Sequence, residues 1–296
     1  SKLLFNLPVN AIFGLIINKG FKKLNGVDYI IATTNTLGIS ISIAKRLGLI
    51  KSNILFINMG LFPEKPNYLK LSLYKYIFKN IKLLTISKTE YKYLKSLLKK
   101  ISIYYIPFGV DKSFWRPELK KEFNPYVLAI GNDLARDWNT LVNSWDENFP
   151  TLKIVTSIPI NTKKNNIVVI KGNWHSQLLS DKEIRELYRD SEFVILPLKE
   201  TLQPSGQSTC LQAMACSKAV IISDIIGIWD RKLLINKKNV LFVKPYNEED
   251  MNSAINLLLK NKQLRETIEG NALKLIQEHF NIFNMKKHLQ EIFEDN

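Results

Sequence analysis

Short apolar runs alternate along the chain with longer segments in which apolar residues recur at helical spacing. In the first third, the runs at 28–34 (DYIIATT) and 53–59 (NILFINM) are rich in β-branched residues and predict buried strands. The segments at 36–50 and 68–81 have the period of amphipathic helices. Strands that alternate with helices in this way are typical of parallel β/α units.

A second series of strands and helices begins at 125–131 (PYVLAIG) and runs to 239–245 (NVLFVKP) and the helices beyond it. It includes a helix at 180–191, for which Ser180 is the predicted N-cap. Between the two series lies a segment flanked by proline that reads as a hinge, 108–124. The pattern therefore predicts an α/β fold with two Rossmann-like units. We expect three parts: an N-terminal domain, a C-terminal domain and a tail helix that packs back on the first domain, at 1–107, 108–279 and 280–296.

The positive charge of the chain is concentrated in its first third. The net charge is +15, yet residues 1–107 hold 17 Lys and Arg against 3 acidic residues, whereas the remaining 189 residues hold 25 against 24. Such asymmetry predicts an anionic partner for the first domain: a phospholipid surface, a nucleic acid or an anionic substrate. The alternative is a composition biased toward Lys and Asn on solvated faces.

The basic helices at 68–82 and 91–101 interleave Lys with Tyr, Leu and Phe. Such faces suit an anionic membrane surface, so we expect a peripheral protein at the inner face of the membrane. The alternative is that the apolar residues pack on the sheet and Lys only faces solvent. No apolar run approaches the roughly 20 residues that span a bilayer.

The two cysteines, Cys210 and Cys216, lie six residues apart on one predicted helix. A disulfide does not fit that spacing, and a reduced, cytoplasmic protein is expected. The Cys and His residues show no zinc-like spacing, so no metal site is predicted.

The stretch 202–224 (LQPSGQSTCLQAMACSKAVIISD) places a loop rich in Ser, Gly and Gln between a strand and a helix. Ligands of open α/β sheets bind beyond the carboxyl ends of strands. Gly206 can take a positive φ, and the amides of 206–209 would be free helix-start donors suited to a diphosphate. The alternative is an ordinary capped helix. Further polar groups that can bind a ligand are Ser205, Gln207, Ser208, Thr209 and, for a ribose or sugar hydroxyl, Gln212.

Several segments, in the right order, carry a resemblance to one family. They are the strand and serine at 83–90 (LLTISKTE), the hinge at 104–117 (YYIPFGVDKSFWRP), the glycine turn at 126–141 (YVLAIGNDLARDWNTL), 205–230 and 239–259. In these segments the chain resembles the group 1 glycosyltransferases, glycosyltransferase family 4. That family has the GT-B architecture, so the resemblance implies two Rossmann-like domains facing across a cleft, here with a shortened N-terminal domain.

The resemblance implies transfer of a sugar from a nucleotide-diphosphate sugar, UDP- or GDP-linked, to an acceptor hydroxyl on a glycan or a lipid-linked glycan. A role in cell-envelope polysaccharide synthesis follows. The expected mechanism retains the anomeric configuration and needs no metal ion, no other cofactor and no dedicated protein base. Two alternatives stay open: a non-catalytic relative that binds a sugar nucleotide, and a basic nucleic-acid-binding protein. The second lacks a helix-turn-helix, zinc or RNA-binding signature, so no nucleic acid is expected.

The diphosphate side of the site departs from the family pattern. Gly131 matches the glycine that lets the diphosphate approach, but the family's neighbouring Arg and later Lys are Asn132 and Asp137 here. We expect Arg136 to replace them as the phosphate cation. The alternative is that Arg136 pairs with Asp133 on the surface.

The sugar side departs as well. The family has two glutamates separated by seven residues, and those positions hold Pro204 and Gln212. Gln212 can still bond the ribose hydroxyls. For the lost glutamate, Gln207 or Ser205 can stand in. The predicted catalytic residues are Arg136, Gln207 and Glu200, and Lys199 is a second candidate cation.

Base recognition in the family comes from the loop that is 173–179 (NWHSQLL) here. Leu178 or Leu179 would contact the base, and His175 and Trp174 could stack on it; the alternative is an ordinary surface loop. The first domain lacks the family's glycine-rich loop, so either it is small or its start is missing. Its loops at 33–36, 58–60 and 87–88 would still face the cleft.

Overall fold

The computed structural model describes residues 20–118, 126–171 and 179–294, which fold into two units. The first unit extends to Ile106 and includes Leu202–Pro204, and the second takes Pro107–Thr201 and the residues from Ser205 onward. The tail helix predicted within 280–296 belongs to the second unit.

The first unit is built on a four-stranded parallel sheet in the order β1-β2-β3-β4. Its strands are β1 (Tyr29–Ala32), β2 (Asn53–Asn58), β3 (Lys82–Thr85) and β4 (Ser102–Tyr105). Its helices are α1 (Gly20–Leu24), α2 (Asn35–Arg46), α3 (Tyr68–Ile77) and α4 (Lys88–Leu97). Because helices connect the parallel strands, the two central strands β2 and β3 are buried on both faces, whereas the predicted buried strand β1 lies at the edge and leaves Ile31 exposed.

A close approach between α2 and β2 fixes the packing of the first unit. Gly38 lies over the ring of Phe56, and a Cβ at position 38 would come within 2.5 Å of the ring atom Cγ. Real Cβ atoms do not approach that closely, so only glycine lets α2 lie this near the sheet. Phe56 is completely buried as a result.

The second unit is built on a six-stranded parallel sheet in the order β10-β9-β8-β5-β6-β7. Its strands are β5 (Tyr126–Ile130), β6 (Thr151–Val155), β7 (Ile167–Ile170), β8 (Val194–Leu196), β9 (Val220–Ser223) and β10 (Leu241–Val243). Its helices are α5 (Trp138–Ser144), α6 (Asp181–Asp190), α7 (Gln207–Ala215), α8 (Glu248–Lys260), α9 (Lys262–Glu278) and α10 (Ile282–Glu294).

The direction of strand succession reverses between β5 and β8. From β5 the chain moves outward through β6 to β7, then returns to β8 on the other side of β5 and continues to β10. Such a reversal opens a crevice at the carboxyl ends of the two central strands, which is where open α/β sheets bind ligands. The strand order alone therefore predicts where in this unit a ligand would bind, before any side chain is considered.

The predicted α/β fold with parallel sheets is confirmed, and helix α2, predicted at 36–50, is Asn35–Arg46. The elements end earlier where the apolar pattern ran into turns: the strand predicted at 28–34 is Tyr29–Ala32. Ser180 caps α6, as predicted, and it does so in a reciprocal capping box with Glu183. Both cysteines are free and buried. In the described ranges, no helix is long and apolar enough to cross a bilayer.

Candidate functional site

Two loops at the strand-order reversal are joined to each other by backbone hydrogen bonds. Asp137 N donates to Pro197 O at 3.0 Å, and Lys199 N donates to Ala135 O at 2.8 Å. These bonds hold the loop after β5 against the loop after β8, so groups on the two loops keep fixed positions. We call them the β5 loop (131–137) and the β8 loop (197–206).

A guanidinium lies between a glycine of each loop. Gly131 has φ +154°, and a Cβ there would overlap the Arg136 guanidinium, with Cζ at 2.6 Å. Gly206 has φ +73°, and a Cβ there would come within 3.0 Å of Arg136 Nη1. Glycine at both positions therefore makes room for Arg136, and the positive φ predicted for Gly206 is confirmed.

Arg136 is buried, with 2% of its side chain exposed. Its Nε donates to Ile130 O at 3.3 Å. Its Nη1 is 3.1 Å from Asp133 Oδ2, close enough for an ion pair but without hydrogen-bond geometry. Burial lowers the Arg136 pKa and the Asp133 charge opposes that shift. Arg136 does pair with Asp133, as the alternative from the sequence had it. The guanidinium, however, is buried in the interior and does not lie on the surface.

Helix α7 begins beside this guanidinium and has no side-chain cap. Its N-cap residue is Gly206, whereas Thr34, Asn67 and Ser87 cap the preceding helices α2, α3 and α4 with their side chains. The amides at an uncapped helix start, together with the helix dipole, favour an anion. The positive guanidinium adds to the same field.

The residues predicted around the start of α7 divide into two groups. Ser205, Ser208 and Gln212 are half-buried. Gln207 and Thr209 are buried, at 3% and 6% exposure. The Thr209 side chain hydrogen-bonds Tyr188, so its hydroxyl is used within the core.

Asn132 and Asp137, which stand where the family has cations, support the local fold. Asn132 Oδ1 accepts from Ser157 N at 2.5 Å and from Ser157 Oγ at 2.9 Å, which ties the β5 loop to the turn after β6. Asp137 caps α5 and accepts from Thr140 Oγ1 at 2.6 Å. Neither side chain supplies positive charge, so Arg136 is the cation that the β5 loop places at the reversal.

The other predicted residues of the β8 loop lie at its exposed surface. Lys199 Nζ donates to Leu134 O at 3.3 Å. Glu200 Oε1 accepts from Ile226 N at 2.7 Å, which anchors the loop after β9.

Leu179, one of the predicted base contacts, is half-buried and packs on the core. The predicted base contacts Trp174, His175 and Leu178 lie outside the described residues.

A buried carboxyl in the first unit was not singled out from the sequence. Glu90 Oε1 accepts from Gly60 N at 2.9 Å and from Leu61 N at 3.1 Å, and its Oε2 is buried without a hydrogen-bond partner. Burial raises the Glu90 pKa to about 7, although the two amides oppose the shift. Ser87 and Glu90 have the spacing of a capping box, and that was the only local signal.

Part of the chain matches the model of a known family, and longer stretches match individual proteins. The family model for glycosyl transferases group 1 matches residues 170–275. N,N'-diacetylbacillosaminyl-diphospho-undecaprenol alpha-1,3-N-acetylgalactosaminyltransferase of Campylobacter jejuni is 26% identical over 181 residues, covering 59% of this chain and 46% of that protein. The chain spans about half the length of the curated relatives it matches first.

Solved structures share the fold across nearly the whole chain. Sucrose-phosphate synthase from Thermosynechococcus elongatus superposes with a TM-score of 0.76 at 18% identity, covering 94% of this chain and 75% of that one. Anabaena HepE in complex with UDP-glucose superposes with a TM-score of 0.74 at 14% identity, covering 95% and 82%.

The two parallel sheets and these structural neighbours show that the chain has an α/β fold of the GT-B type. Over residues 170–275 the chain is similar to the group 1 glycosyltransferases, the family that its sequence resembles.

Proposed function

We propose that the chain binds a nucleotide-diphosphate sugar at the strand-order reversal of the second unit and transfers the sugar to an acceptor hydroxyl. One observation carries the proposal: the buried guanidinium of Arg136 lies between Gly131 and Gly206, beside the uncapped start of α7. A diphosphate placed there would meet both a cation and the helix-start amides of α7, which no N-cap side chain caps.

The same groups suit the chemistry of the transfer. When the bond from the anomeric carbon to the diphosphate breaks, negative charge accumulates on the leaving phosphate. Preorganised donors and a cation at that position stabilise the developing charge, and a water-poor surrounding strengthens the effect. Arg136 and the α7 amides supply the stabilisation that a metal ion could otherwise give, so we propose a metal-independent reaction. The leaving phosphate then takes the acceptor proton, which fits retention of configuration.

We propose UDP or GDP as the nucleotide and a glycan or lipid-linked glycan as the acceptor. Support for UDP comes from Anabaena HepE, whose structures hold UDP and UDP-glucose. Support for a lipid-linked acceptor of the cell envelope comes from the Campylobacter jejuni relative, whose name describes an acceptor on diphospho-undecaprenol. Gln212, half-buried on the first turns of α7, is the proposed partner of the ribose hydroxyls.

A nucleotide screen tests the donor site. Because a ligand that binds only the folded protein raises its stability, UDP or GDP should raise the melting temperature, whereas ADP and CMP should not. Arg136→Ala should abolish the shift, and the exposed Arg116→Ala should retain it. A full shift with Arg136→Ala would remove Arg136 from the site.

We also propose that helix α3 docks on an anionic membrane surface. Its Tyr74 and Ile77 are buried against the first unit, yet on the outward side Tyr68, Leu69 and Tyr76 are 79%, 78% and 56% exposed. A helix that is apolar on both its inner and outer faces is typical of a helix covered by a further apolar phase. The many lysines of this unit would reach the headgroups.

Vesicle flotation tests the docking. The chain should float with vesicles containing phosphatidylglycerol and not with pure phosphatidylcholine vesicles. Leu69→Ser should weaken the binding, whereas Leu134→Ser, which changes an 86% exposed leucine of the second unit, should not. Equal binding to both vesicle types, or equal loss in both variants, would contradict the proposal.

A second candidate function is sugar-nucleotide binding without transfer. It is favoured by Pro204 at the position of the family's first glutamate and by the engagement of the Glu200 carboxylate with Ile226. Release of labelled sugar from UDP-sugars and GDP-sugars separates the two. Nucleotide binding without release or hydrolysis, across donors and with lipid-linked acceptors supplied, would favour the binding protein.

A further inference from the structure

The Asp133 carboxylate occupies the position that a bound anion would take. Its Oδ1 accepts from Ser205 Oγ at 2.7 Å and from Ala135 N at 3.1 Å, and its Oδ2 lies 3.1 Å from Arg136 Nη1. A hydroxyl, a backbone amide and a guanidinium thus converge on one carboxylate. These three groups are the kind that bind a phosphate.

The two charges differ in their access to solvent. The Arg136 side chain is 2% exposed, whereas that of Asp133 is 44% exposed. The guanidinium is fixed beside Gly131 and Gly206, so it cannot follow an incoming ligand. Asp133 is on the solvent side and can turn away. The Asp133 carboxylate can therefore leave, and a ligand anion can take its place beside Arg136, while the guanidinium stays where it is.

The ion pair between Arg136 and Asp133 lacks a well-aligned hydrogen bond. Arg136 Nη1 is buried and has no hydrogen bond of good geometry, although Asp133 is near it. A buried donor without a hydrogen bond costs free energy. A phosphate oxygen that accepted a well-aligned hydrogen bond from Nη1 would remove that free-energy cost.

We infer that Asp133 is a built-in competitor for the diphosphate. In the unliganded protein its carboxylate holds Arg136 and Ser205, and the donor must displace it to bind them. This inference rests on the proposed donor site, and it adds a specificity role: the diphosphate gains Arg136 only by replacing a carboxylate of like charge. Nucleotides with fewer phosphate oxygens displace it less well.

Calorimetric titration of UDP and GDP into wild type and Asp133→Asn tests the inference. Asparagine keeps an oxygen for Ser205 and Ala135 but removes the negative charge. The nucleoside diphosphate that binds should then bind about tenfold tighter or more, since a like charge within a few ångströms of a phosphate costs at least about that factor. UMP or GMP should gain less. The control Asp190→Asn removes one charge from an exposed residue at the end of α6, near Tyr126 at the amino end of β5, and should leave the affinity unchanged.

The opposite result is equally distinct. If Asp133 instead orients Arg136 for the ligand, Asp133→Asn binds the diphosphate more weakly or equally, and the inference is overturned while the donor site stands. Asp133→Ala repeats the test without a side-chain amide, and melting curves without nucleotide confirm that each variant is folded. If neither UDP nor GDP binds wild type or variants, the proposed donor site fails and the inference fails with it.

Discussion

Replacing Gly131 by alanine tests the packing on which the candidate site depends. The new Cβ would lie 2.6 Å from Arg136 Cζ and 2.5 Å from Nη2. The guanidinium has little room to yield, because Gly206 lies on its other side, with only 3.0 Å between a Cβ there and Nη1. Either the β5 loop must move or Arg136 must leave its buried position.

The cost has two parts. A residue with a side chain at φ +154° costs about 1–2 kcal/mol in backbone strain. Overpacking a fixed, buried side chain costs about 1–3 kcal/mol more. Gly131→Ala should therefore lower the free energy of unfolding of the second unit by about 2–5 kcal/mol. In an Arg136→Ala background the overpacking part disappears, and the same change should cost only about 1–2 kcal/mol.

Urea unfolding followed by tryptophan fluorescence measures this cost. All five tryptophans lie between Trp115 and Trp229, so the signal reports on the second unit alone. Gly270→Ala is the matched control: it is exposed on α9 with nothing within 4 Å of its Cβ, and should stabilise by about 0.5–1 kcal/mol. A Gly131→Ala protein as stable as wild type, or an equal cost in the Arg136→Ala background, would refute the described packing.

Three further changes have expected outcomes. The Glu90 pKa is raised by burial to about 7 from 4.5, so the stability it contributes is full below pH 4.5 and is lost as the pH rises to 7. Glu90→Gln should remove this decline, which amounts to about 3 kcal/mol, and parallel pH profiles of melting temperature for the two proteins would contradict the assignment. Gly38→Ala should destabilise the first unit by about 1–3 kcal/mol through overlap with Phe56, although alanine favours helices, and circular dichroism melting would show it. Lys164 Nζ donates to three carbonyls at the end of α5, at 2.5, 2.9 and 3.1 Å, so Lys164→Met should cost about 1–2 kcal/mol in the fluorescence assay. The neighbouring exposed Lys163→Met should cost nothing, and equal effects would show that the carbonyl contacts do not matter.

The fold could be predicted from the sequence because its signals are local. Buried strands such as β2 and β8 are continuous apolar runs, and helices such as α6 carry their period and their cap within a dozen residues. Gly206 could be assigned a positive φ because its neighbours end a strand and begin a helix. The strand-order reversal could be anticipated only in so far as the pattern and the resemblance both implied a Rossmann-like unit.

The burial of Arg136 could not be predicted because its causes are distant in sequence. The stretch 132–137 (NDLARD) reads as a solvated turn with charges of both signs. The guanidinium is enclosed only because the β8 loop, more than 60 residues later in the chain, packs against it. Gly206 in that loop has no side chain, and this leaves room for the guanidinium. Glu90 shows the same limit: its spacing from Ser87 predicts a cap, yet its carboxylate serves amides 30 residues away in the loop after β2.

The most direct test of the account is a crystal structure with UDP or GDP bound. We expect the diphosphate to lie at the strand-order reversal, with its oxygens within about 2.7–3.2 Å of the α7 start amides and of Arg136 Nη1, and with Asp133 turned away. A diphosphate bound elsewhere on the chain, or one that leaves Arg136 paired with Asp133 and the start of α7 empty, would contradict it.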